Sequence, residues 1–272
     1  MKNAPALEKS PGASAPAASL GLLLALLACE TPTEPEWSAV APADELYAEG
    51  LNALQGQSIL GVYQYVDYER VIETFQSLID NYPYSEQAVD AELQIANAYF
   101  ESGSYEEALT YYRDFAELHP NHAKVPYTIY RSALCHEEQL EDVQRDQRNT
   151  REAIDYLDRL LVAYPNSAYA KEAEALWRML HVHLAEHVEG IADFYRSREE
   201  YEAAAERYRS ILNDSPGFGL DARVLYKLAE CYEALRRSDE ADRIYRTLVA
   251  HYRDSPWAFR ARERTASNLA FD

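Results

Sequence analysis

The sequence has little of what enzyme and nucleic-acid sites are commonly built from. Nine of its 272 residues are glycine and three are cysteine, and the glycines are scattered. It contains no glycine-rich phosphate loop, no Gly-x-Ser-x-Gly turn and no Cys-x-x-Cys pair. Lys and Arg number 26 against 46 Asp and Glu, so a net charge of −20 leaves no basic surplus for nucleic-acid phosphates. We therefore expect a protein that is not an enzyme, with no cofactor and no nucleic-acid partner.

Metal and disulfide chemistry are also not expected. His183 and His187 lie one helical turn apart, but no nearby Cys or matched carboxylate completes a zinc site. Cys135 and Cys231 fall in different repeats, too far apart to be joined, so both are predicted to be small buried apolar residues. The Asp and Glu excess is predicted to be mostly solvated helix surface.

The amino terminus has a short apolar run. Residues 20–27 are too few to span a bilayer and, after two lysines, indicate a signal peptide over residues 1–28. The run ends in Leu-Leu-Ala-Cys, like a bacterial lipobox, which predicts acylation of Cys29 and attachment to a membrane through lipid. Glu30 after the cysteine favours the outer membrane. The alternative is a plain secretory peptide in which Cys29 is incidental. Residues 29–43, rich in Pro, Thr and Glu, are predicted to form a flexible tether.

One stretch, residues 85–120, has the pattern of two antiparallel amphipathic helices. Ala96 and Ala108 allow a close approach, Gly103 marks the turn and Pro120 the end. This is typical of the tetratricopeptide repeat, a helix pair of about 34 residues that stacks on its own copies. The residues predicted to face the core are Ile95, Ala96, Tyr99, Ala108, Tyr112 and Phe115.

Comparable end marks predict five repeats, three in residues 44–165 and two, with a capping helix, in residues 166–272. The expected fold is all-α, a right-handed superhelical solenoid of about five tetratricopeptide helix pairs with a carboxy-terminal capping helix. Trp257 and Phe259 of the last helix are expected to cover the end of the stack.

Some local departures from the regular repeat are expected. Repeat one has an expanded turn at Gln55–Gln64, and repeat four has an over-long first helix at about Ala168–Tyr195. Arg253 stands where the other end marks have proline, so the helix before it is expected to run on. Serine is expected to cap the following helix in three repeats, at Ser85, Ser167 and Ser255.

Function in such a solenoid is expected to lie on first-helix residues that are not committed to the core. In the first half these are mostly apolar or aromatic and predict a groove for an extended apolar peptide: Tyr47, Leu51, Leu54, Leu93, Asn97, Phe100, Tyr130 and Leu134. In the second half they are mostly charged and predict a face for a folded polar partner: Glu189, Asp193, Arg196, Tyr226, Glu230 and Glu233. The alternative is that the apolar residues pack on the inserted turn around residues 62–66.

Four segments resemble one family. They are the lipobox LLAC, HPNHAKVPYTIYRSALCHEEQ, RDQRNTREAIDYLDRLLVAYPNSAYAKEA and HLAEHVEGIADFYRSREEYEAAAERYRSILNDSP. The RDQ insertion followed by the long helix through LAEH and FYR is similar to the BamD (YfiO-type) lipoproteins of the outer-membrane β-barrel assembly machine, the BAM complex.

The resemblance implies a periplasmic scaffold held at the outer membrane by lipid. Its carboxy-terminal half is expected to dock a POTRA domain of BamA, beside other BAM subunits. Its amino-terminal half is expected to receive the carboxy-terminal strands of unfolded outer-membrane proteins. The competing class is a lipid-anchored periplasmic repeat adaptor for cell-wall enzymes or for pilus and secretin assembly.

Overall fold

The computed structural model describes residues 40–59 and 63–268. The predicted signal peptide, Cys29 and most of the tether lie outside them. The described elements are α1 (Ala43–Leu54), β1 (Gln57–Ile59), β2 (Tyr63–Tyr65), α2 (Tyr68–Asn81), α3 (Glu86–Glu101), α4 (Tyr105–Leu118), α5 (Val125–Glu137), α6 (Arg148–Ala163), α7 (Ala170–Ser197), α8 (Tyr201–Asp214), α9 (Asp221–Ala234), α10 (Ser238–His251) and α11 (Pro256–Asn268).

The helices form a linear stack. The described residues from Ala41 onward form one compact unit, in which each helix packs mainly on the next, and α1 on α3 and α9 on α11 as well. Contacts restricted to neighbours are what a repeat solenoid requires. Five pairs, α1/α2 to α9/α10, with α11 closing the stack, confirm the predicted all-α tetratricopeptide fold.

One large side chain fills the centre of every pair. It comes from the second helix, six residues before its last residue, and is fully buried each time: Phe75, Tyr112, Leu157, Tyr208 and Tyr245. A small buried residue of the first helix belongs to each pair: Gly50, Ala96, Ala133, Ala192 and Ala229. At Gly50 an added Cβ would lie 2.5 Å from the Phe75 ring, so only glycine fits there.

The expanded turn of repeat one contains a β-hairpin. Its strands β1 and β2 pair antiparallel, with Ser58 opposite Gln64, and the second strand runs to Tyr65. The prediction of an expanded turn at Gln55–Gln64 did not include this sheet. The β-branched and aromatic residues on both sides of Gly61 were the available signal for a hairpin.

Two predictions about helix ends are wrong. Helix α10 ends at His251 although no proline follows, because Tyr252 leaves the helical region at φ −123° and packs against the core. A following proline is therefore not required to end this helix. Ser85 and Ser255 accept hydrogen bonds from Ala88 and Ala258 N–H, at 3.0 and 3.1 Å, as expected of caps. The Ser167 hydroxyl is buried without a hydrogen-bond partner and caps nothing.

The last helix covers the stack with one of the two residues expected to do so. The Trp257 ring lies 5.4 Å from that of Tyr226 and packs on the core. Phe259 is 55% exposed and does not take part. No described helix is both long and apolar enough to cross a bilayer.

Both described cysteines are free and buried, as predicted. Burial raises the pKa of the Cys135 thiol to about 12 and that of Cys231 to about 11. Neither is therefore a thiolate at neutral pH, and both serve as small apolar core residues.

Candidate functional site

The eight predicted groove residues lie on α1, α3 and α5, the first helices of repeats one to three. Leu51 is 38% exposed, and most of the others are half-buried. Leu93 is only 5% exposed, because it packs in a core cluster with Tyr112 and Cys135. Its assignment to the groove was wrong, since a partner cannot reach it.

An arginine lies across the aromatic part of this surface. The Arg131 guanidinium carbon is 3.7 Å from the centre of the Phe100 ring, and the ring of Tyr105 meets Phe100 edge-on at 5.3 Å. Arg131 donates to the Glu101 carboxylate at 2.9 Å and to the Tyr112 hydroxyl at 3.0 Å. Arg131 therefore already covers one face of the Phe100 ring, which was predicted to contact the peptide.

Asn97 serves the core. Its side-chain oxygen accepts hydrogen bonds from the hydroxyls of Tyr112 and Tyr127, both at 2.7 Å. Burial raises the pKa of both tyrosines, although Arg131 opposes the effect. Asn97 thus satisfies two hydroxyls that would otherwise be costly to bury.

The alternative interpretation, in which the apolar residues pack on the inserted turn, holds in part. Tyr47 and Leu54 pack in the core cluster formed by α1, α2 and α3, together with Val66 from the end of that turn. Tyr130 stacks on Tyr169, with ring centres 5.7 Å apart. The surface is thus a partly exposed aromatic face with internal partners, and Leu51 is its most exposed apolar member.

The predicted polar face of the second half is largely an internal ion-pair network. Glu189 of α7 is 4% exposed and is bonded to Arg223 and Lys227 of α9, the latter at 2.8 Å. Tyr226 is 7% exposed and packs on Tyr245 and Trp257. The assignment of Glu189 and Tyr226 to a docking face was therefore wrong.

Asp193 is the centre of this network. It accepts hydrogen bonds from the Tyr208 hydroxyl at 2.6 Å and from Lys227 at 2.7 Å. Burial alone would raise the pKa of Asp193, but these donors outweigh it and hold the pKa below its ordinary value. Asp193 is therefore ionised at neutral pH and joins α7, α8 and α9.

The remaining predicted face residues continue the network toward α11. Arg196 donates to Glu230 at 3.0 Å, and Arg264 lies 3.9 Å from Glu230 and 3.8 Å from Glu233. Arg196, Glu230 and Glu233 keep side-chain exposures of 35%, 27% and 24%. They can still contact a partner, but their charges are already compensated.

The polarity contrast between the halves follows the central residue of each pair. Consider the first-helix residue directly after the small one. In the two pairs whose central residue is Phe75 or Leu157, this residue is a leucine, Leu51 or Leu134. In the three pairs with a central tyrosine it is polar: Asn97, Asp193 and Glu230. Two of these three polar residues accept the tyrosine hydroxyl. At Asn97 and Asp193 the polar residue is therefore explained by core chemistry and not by a partner.

Reasoning from the sequence missed the basic partners Arg131, Arg223 and Lys227. A signal existed for the last two, which are four residues apart on one helix, as Glu189 and Asp193 are on another. Equal spacing of opposite charges on first helices of adjacent repeats indicates a ladder between them.

Two histidines of α7 serve the fold. One ring nitrogen of His187 donates to the Val143 carbonyl at 2.6 Å and so holds the loop between α5 and α6. His181 stacks on Phe218, with rings 5.3 Å apart and nearly parallel, and lies 4.2 Å from Trp177. Within residues 40–59 and 63–268, no three His, Cys, Asp or Glu side chains are grouped to hold a metal ion.

Comparison with known proteins places the chain in a family. Residues 40–248 match the family model YfiO, described as outer membrane lipoprotein. An outer membrane protein assembly factor BamD of Rickettsia prowazekii is 28% identical over 218 residues, covering 80% of this chain and 83% of the relative. That of Vibrio cholerae is 27% identical over 233 residues, covering 82% and 93%. Among solved structures, the TPR2AB domain of yeast Sti1 in its pHSP90 complex is 15% identical, covers 84% of both chains and has a TM-score of 0.42.

Proposed function

The chain belongs to the YfiO family of outer membrane lipoproteins, and from this premise we propose that it is an outer membrane protein assembly factor. It works as a lipid-anchored periplasmic scaffold of the BAM complex, binding BamA and unfolded β-barrel proteins bound for the outer membrane. The observation that carries the proposal is the family match over residues 40–248, which includes the first four helix pairs and all but the last three residues of the fifth.

The anchor is proposed at Cys29, where the lipobox-like sequence ends. Two or three acyl chains hold a protein on a membrane far more firmly than one. Mass spectrometry of the protein extracted from membranes should show an acylated Cys29 as its first residue. A Cys29→Ser variant should carry no acyl group, and an unacylated Cys29 in the wild-type protein would contradict the anchor.

The amino-terminal aromatic face is proposed as the receptor for carboxy-terminal strands of unfolded outer-membrane proteins. Its partly exposed members, after removal of Leu93 and of Asn97, whose side chain bonds the core tyrosines, are Tyr47, Leu51, Leu54, Phe100, Tyr130 and Leu134. A strand presents alternate side chains to one side, so an amphipathic strand can lay its apolar side on this face. Binding should be reversible, because the substrate must be released for insertion.

Leu51→Glu and Tyr130→Ala test this receptor. Leu51→Glu places a charge on the most exposed residue of the face without opening the core, and Tyr130→Ala removes a half-buried ring. Fluorescence anisotropy with a labelled carboxy-terminal strand peptide of an outer-membrane barrel protein should show binding weakened at least tenfold, about 1.4 kcal/mol.

Tyr84→Ala is the matched control, since Tyr84 is a fully exposed aromatic residue in the loop between α2 and α3. It should leave peptide affinity unchanged, with circular dichroism confirming that all variants fold. Wild-type affinity in both Leu51→Glu and Tyr130→Ala would exclude this face as the receptor.

The carboxy-terminal half is proposed to dock a POTRA domain of BamA. The accessible members of the predicted face are Asp193, Arg196, Glu230 and Glu233. Glu233→Lys, which loses only a 3.8 Å ion pair, should reduce co-purification of the isolated POTRA domains, and Glu202→Lys on α8 is its control. Equal recovery with both variants would place the interface elsewhere. In a pull-down from detergent-solubilised membranes, recovery of a cell-wall hydrolase or a secretin in place of BamA would favour the adaptor class.

A further inference from the structure

The acidic charge of the chain is concentrated in its first part. Residues 40–195 carry 28 acidic and 10 basic side chains, a net charge of −18. Residues 196–264 carry 13 acidic and 14 basic side chains, a net charge of +1. Residues 238–268, which contain the last two helices, carry six arginines and five carboxylates, and the basic excess lies in residues 243–262, with five arginines and one aspartate.

Three of these arginines converge on one pocket between α10 and α11. The pocket has a volume of about 430 Å³ and no carboxylate in its lining, which consists of Tyr245, Arg246, Val249, Ala250, Arg253, Arg262 and Thr265. Arg262 donates to the Arg253 carbonyl at 3.1 Å, which fixes its side chain beside the pocket. The exposed ring of Phe259 lies 5.1 Å from the Arg262 guanidinium carbon.

The three pocket arginines lack the acidic partners that several other arginines of the second half have. Arg196, Arg223, Arg237 and Arg264 each form ion pairs with Asp or Glu. Among the ion pairs of residues 40–59 and 63–268, none includes Arg246, Arg253 or Arg262. Three like charges around one pocket attract an anion from outside the chain.

We propose that this pocket binds carboxylate side chains of an acidic segment of a partner polypeptide. A guanidinium group presents a planar pair of donors that matches a carboxylate, and several together select a run of them. Val249 and Ala250 in the lining and Phe259 beside it supply apolar contact for the aliphatic parts of Glu and Asp side chains. An anionic bilayer surface fits less well, because it is broad and nearly flat, whereas these three guanidinium groups line one pocket between two helices.

The site is separate from both surfaces assigned above. It lies on α10 and α11, whereas the aromatic face lies on α1, α3 and α5. Of the polar network, only Arg264 belongs to α11, and it does not line the pocket. Loss of binding here therefore does not bear on the receptor proposed for unfolded strands.

The test uses the whole folded chain and a fluorescein-labelled octaglutamate peptide. Anisotropy at low salt should show binding that weakens steeply as NaCl is raised. The triple variant Arg246→Ala, Arg253→Ala, Arg262→Ala should weaken binding at least tenfold. The matched control is Arg113→Ala, Arg159→Ala, Arg178→Ala, which removes the same charge from exposed arginines of other helices and should keep most of the affinity.

Three outcomes would overturn the proposal. Equal losses in the two triple variants would mean that the peptide responds only to total charge. Stronger binding to phosphatidylglycerol vesicles than to the peptide would assign the pocket to lipid. Peptide binding that appears only when residues 269–272 are deleted would mean that the chain fills the pocket itself. Thermal unfolding of each variant verifies that the fold is kept.

Discussion

A tyrosine in the centre of a helix pair brings a hydroxyl that must find a partner. Tyr112 and Tyr208 find one in Asn97 and Asp193, each directly after the small residue of the facing helix. The Tyr245 hydroxyl is buried and makes no hydrogen bond within the described part of the chain. Three tyrosines in equivalent positions thus differ in one respect that mutation can test.

Replacing these tyrosines by phenylalanine should have opposite consequences. Tyr208→Phe removes a donor to the ionised Asp193 and should lower the free energy of unfolding by about 2 kcal/mol. Tyr245→Phe removes only an unsatisfied hydroxyl and should be neutral or slightly stabilising. Urea unfolding followed by circular dichroism measures both. A loss at Tyr245 as large as that at Tyr208 would mean that its hydroxyl is bonded in solution.

His181 should make stability depend on pH. Burial lowers its pKa, more than Asp158 raises it, and neither ring nitrogen has a hydrogen-bond partner. A histidine whose pKa is lower in the folded state binds a proton more readily when unfolded. Its contribution is therefore fully present above a pH of about 6.5, the unfolded pKa, and is lost as the pH falls from that value through the lower pKa of the folded state.

His181→Phe is the matching variant, because a phenylalanine can stack between Trp177 and Phe218 without titrating. Urea unfolding at pH 7 and pH 5 should show a smaller loss of stability in the variant than in the wild type. An equal loss in both proteins would mean that His181 is not the source of the pH dependence.

The sequence predicted burial well within a helix pair and poorly between pairs. Ala96, Tyr112 and Phe115 are buried as expected, because helical periodicity alone separates the inner from the outer side of a hairpin. Leu93 and Glu189 were wrongly predicted to be exposed, because each is covered by the first helix of the next repeat. The position of that helix depends on the packing of whole repeats. No pattern in one helix contains that information.

At the scale of elements, the helix bounds were predicted closely and the special turns were not. Helix α7 was expected at about Ala168–Tyr195 and runs from Ala170 to Ser197. Tight turns between paired helices have a residue with positive φ in the middle, and only Gly103 was recognised from its residue type. Glu199 at φ 63° and Arg236 at φ 60° hold the equivalent positions. Each turn closes with an N–H to carbonyl bond back to a tyrosine: Tyr99, Tyr195 and Tyr232.

Glycine should therefore stabilise two of these turns. A non-glycine residue in the left-handed region lowers the free energy of unfolding by about 1–2 kcal/mol. Glycine avoids this cost, but its greater conformational entropy in the unfolded chain cancels about half of the gain. Glu199→Gly and Arg236→Gly should each raise the free energy of unfolding by about 0.5–1 kcal/mol, since both side chains are exposed. The reverse change, Gly103→Ala, should lower it by a similar amount. Destabilisation in both glycine variants, measured by urea unfolding, would contradict this account.

At the scale of the whole molecule, the stack combines a strongly acidic part with a charge-balanced part. Like charges in residues 40–195 repel one another, and only neighbour contacts oppose that repulsion. In the second part, Glu189, Asp193 and Glu230 pair with basic residues across adjacent helices. Salt screens both the repulsion and the ion pairs. It should therefore stabilise the acidic part of the solenoid and not the charge-balanced part.

Amide hydrogen exchange at 10 and 300 mM NaCl should resolve this difference. Protection in α3 and α4 should rise with salt, because screening removes repulsion among the carboxylates around them. Protection in α9 should stay level or fall, because the same screening weakens the ion pairs of Arg223 and Lys227 with Glu189. Lys227→Met, which removes one of those pairs, is the control and should flatten the response of α9 while leaving that of α3 unchanged. A uniform rise along the whole stack would mean that salt acts through general burial of apolar surface, and that the uneven charge has no part in stability.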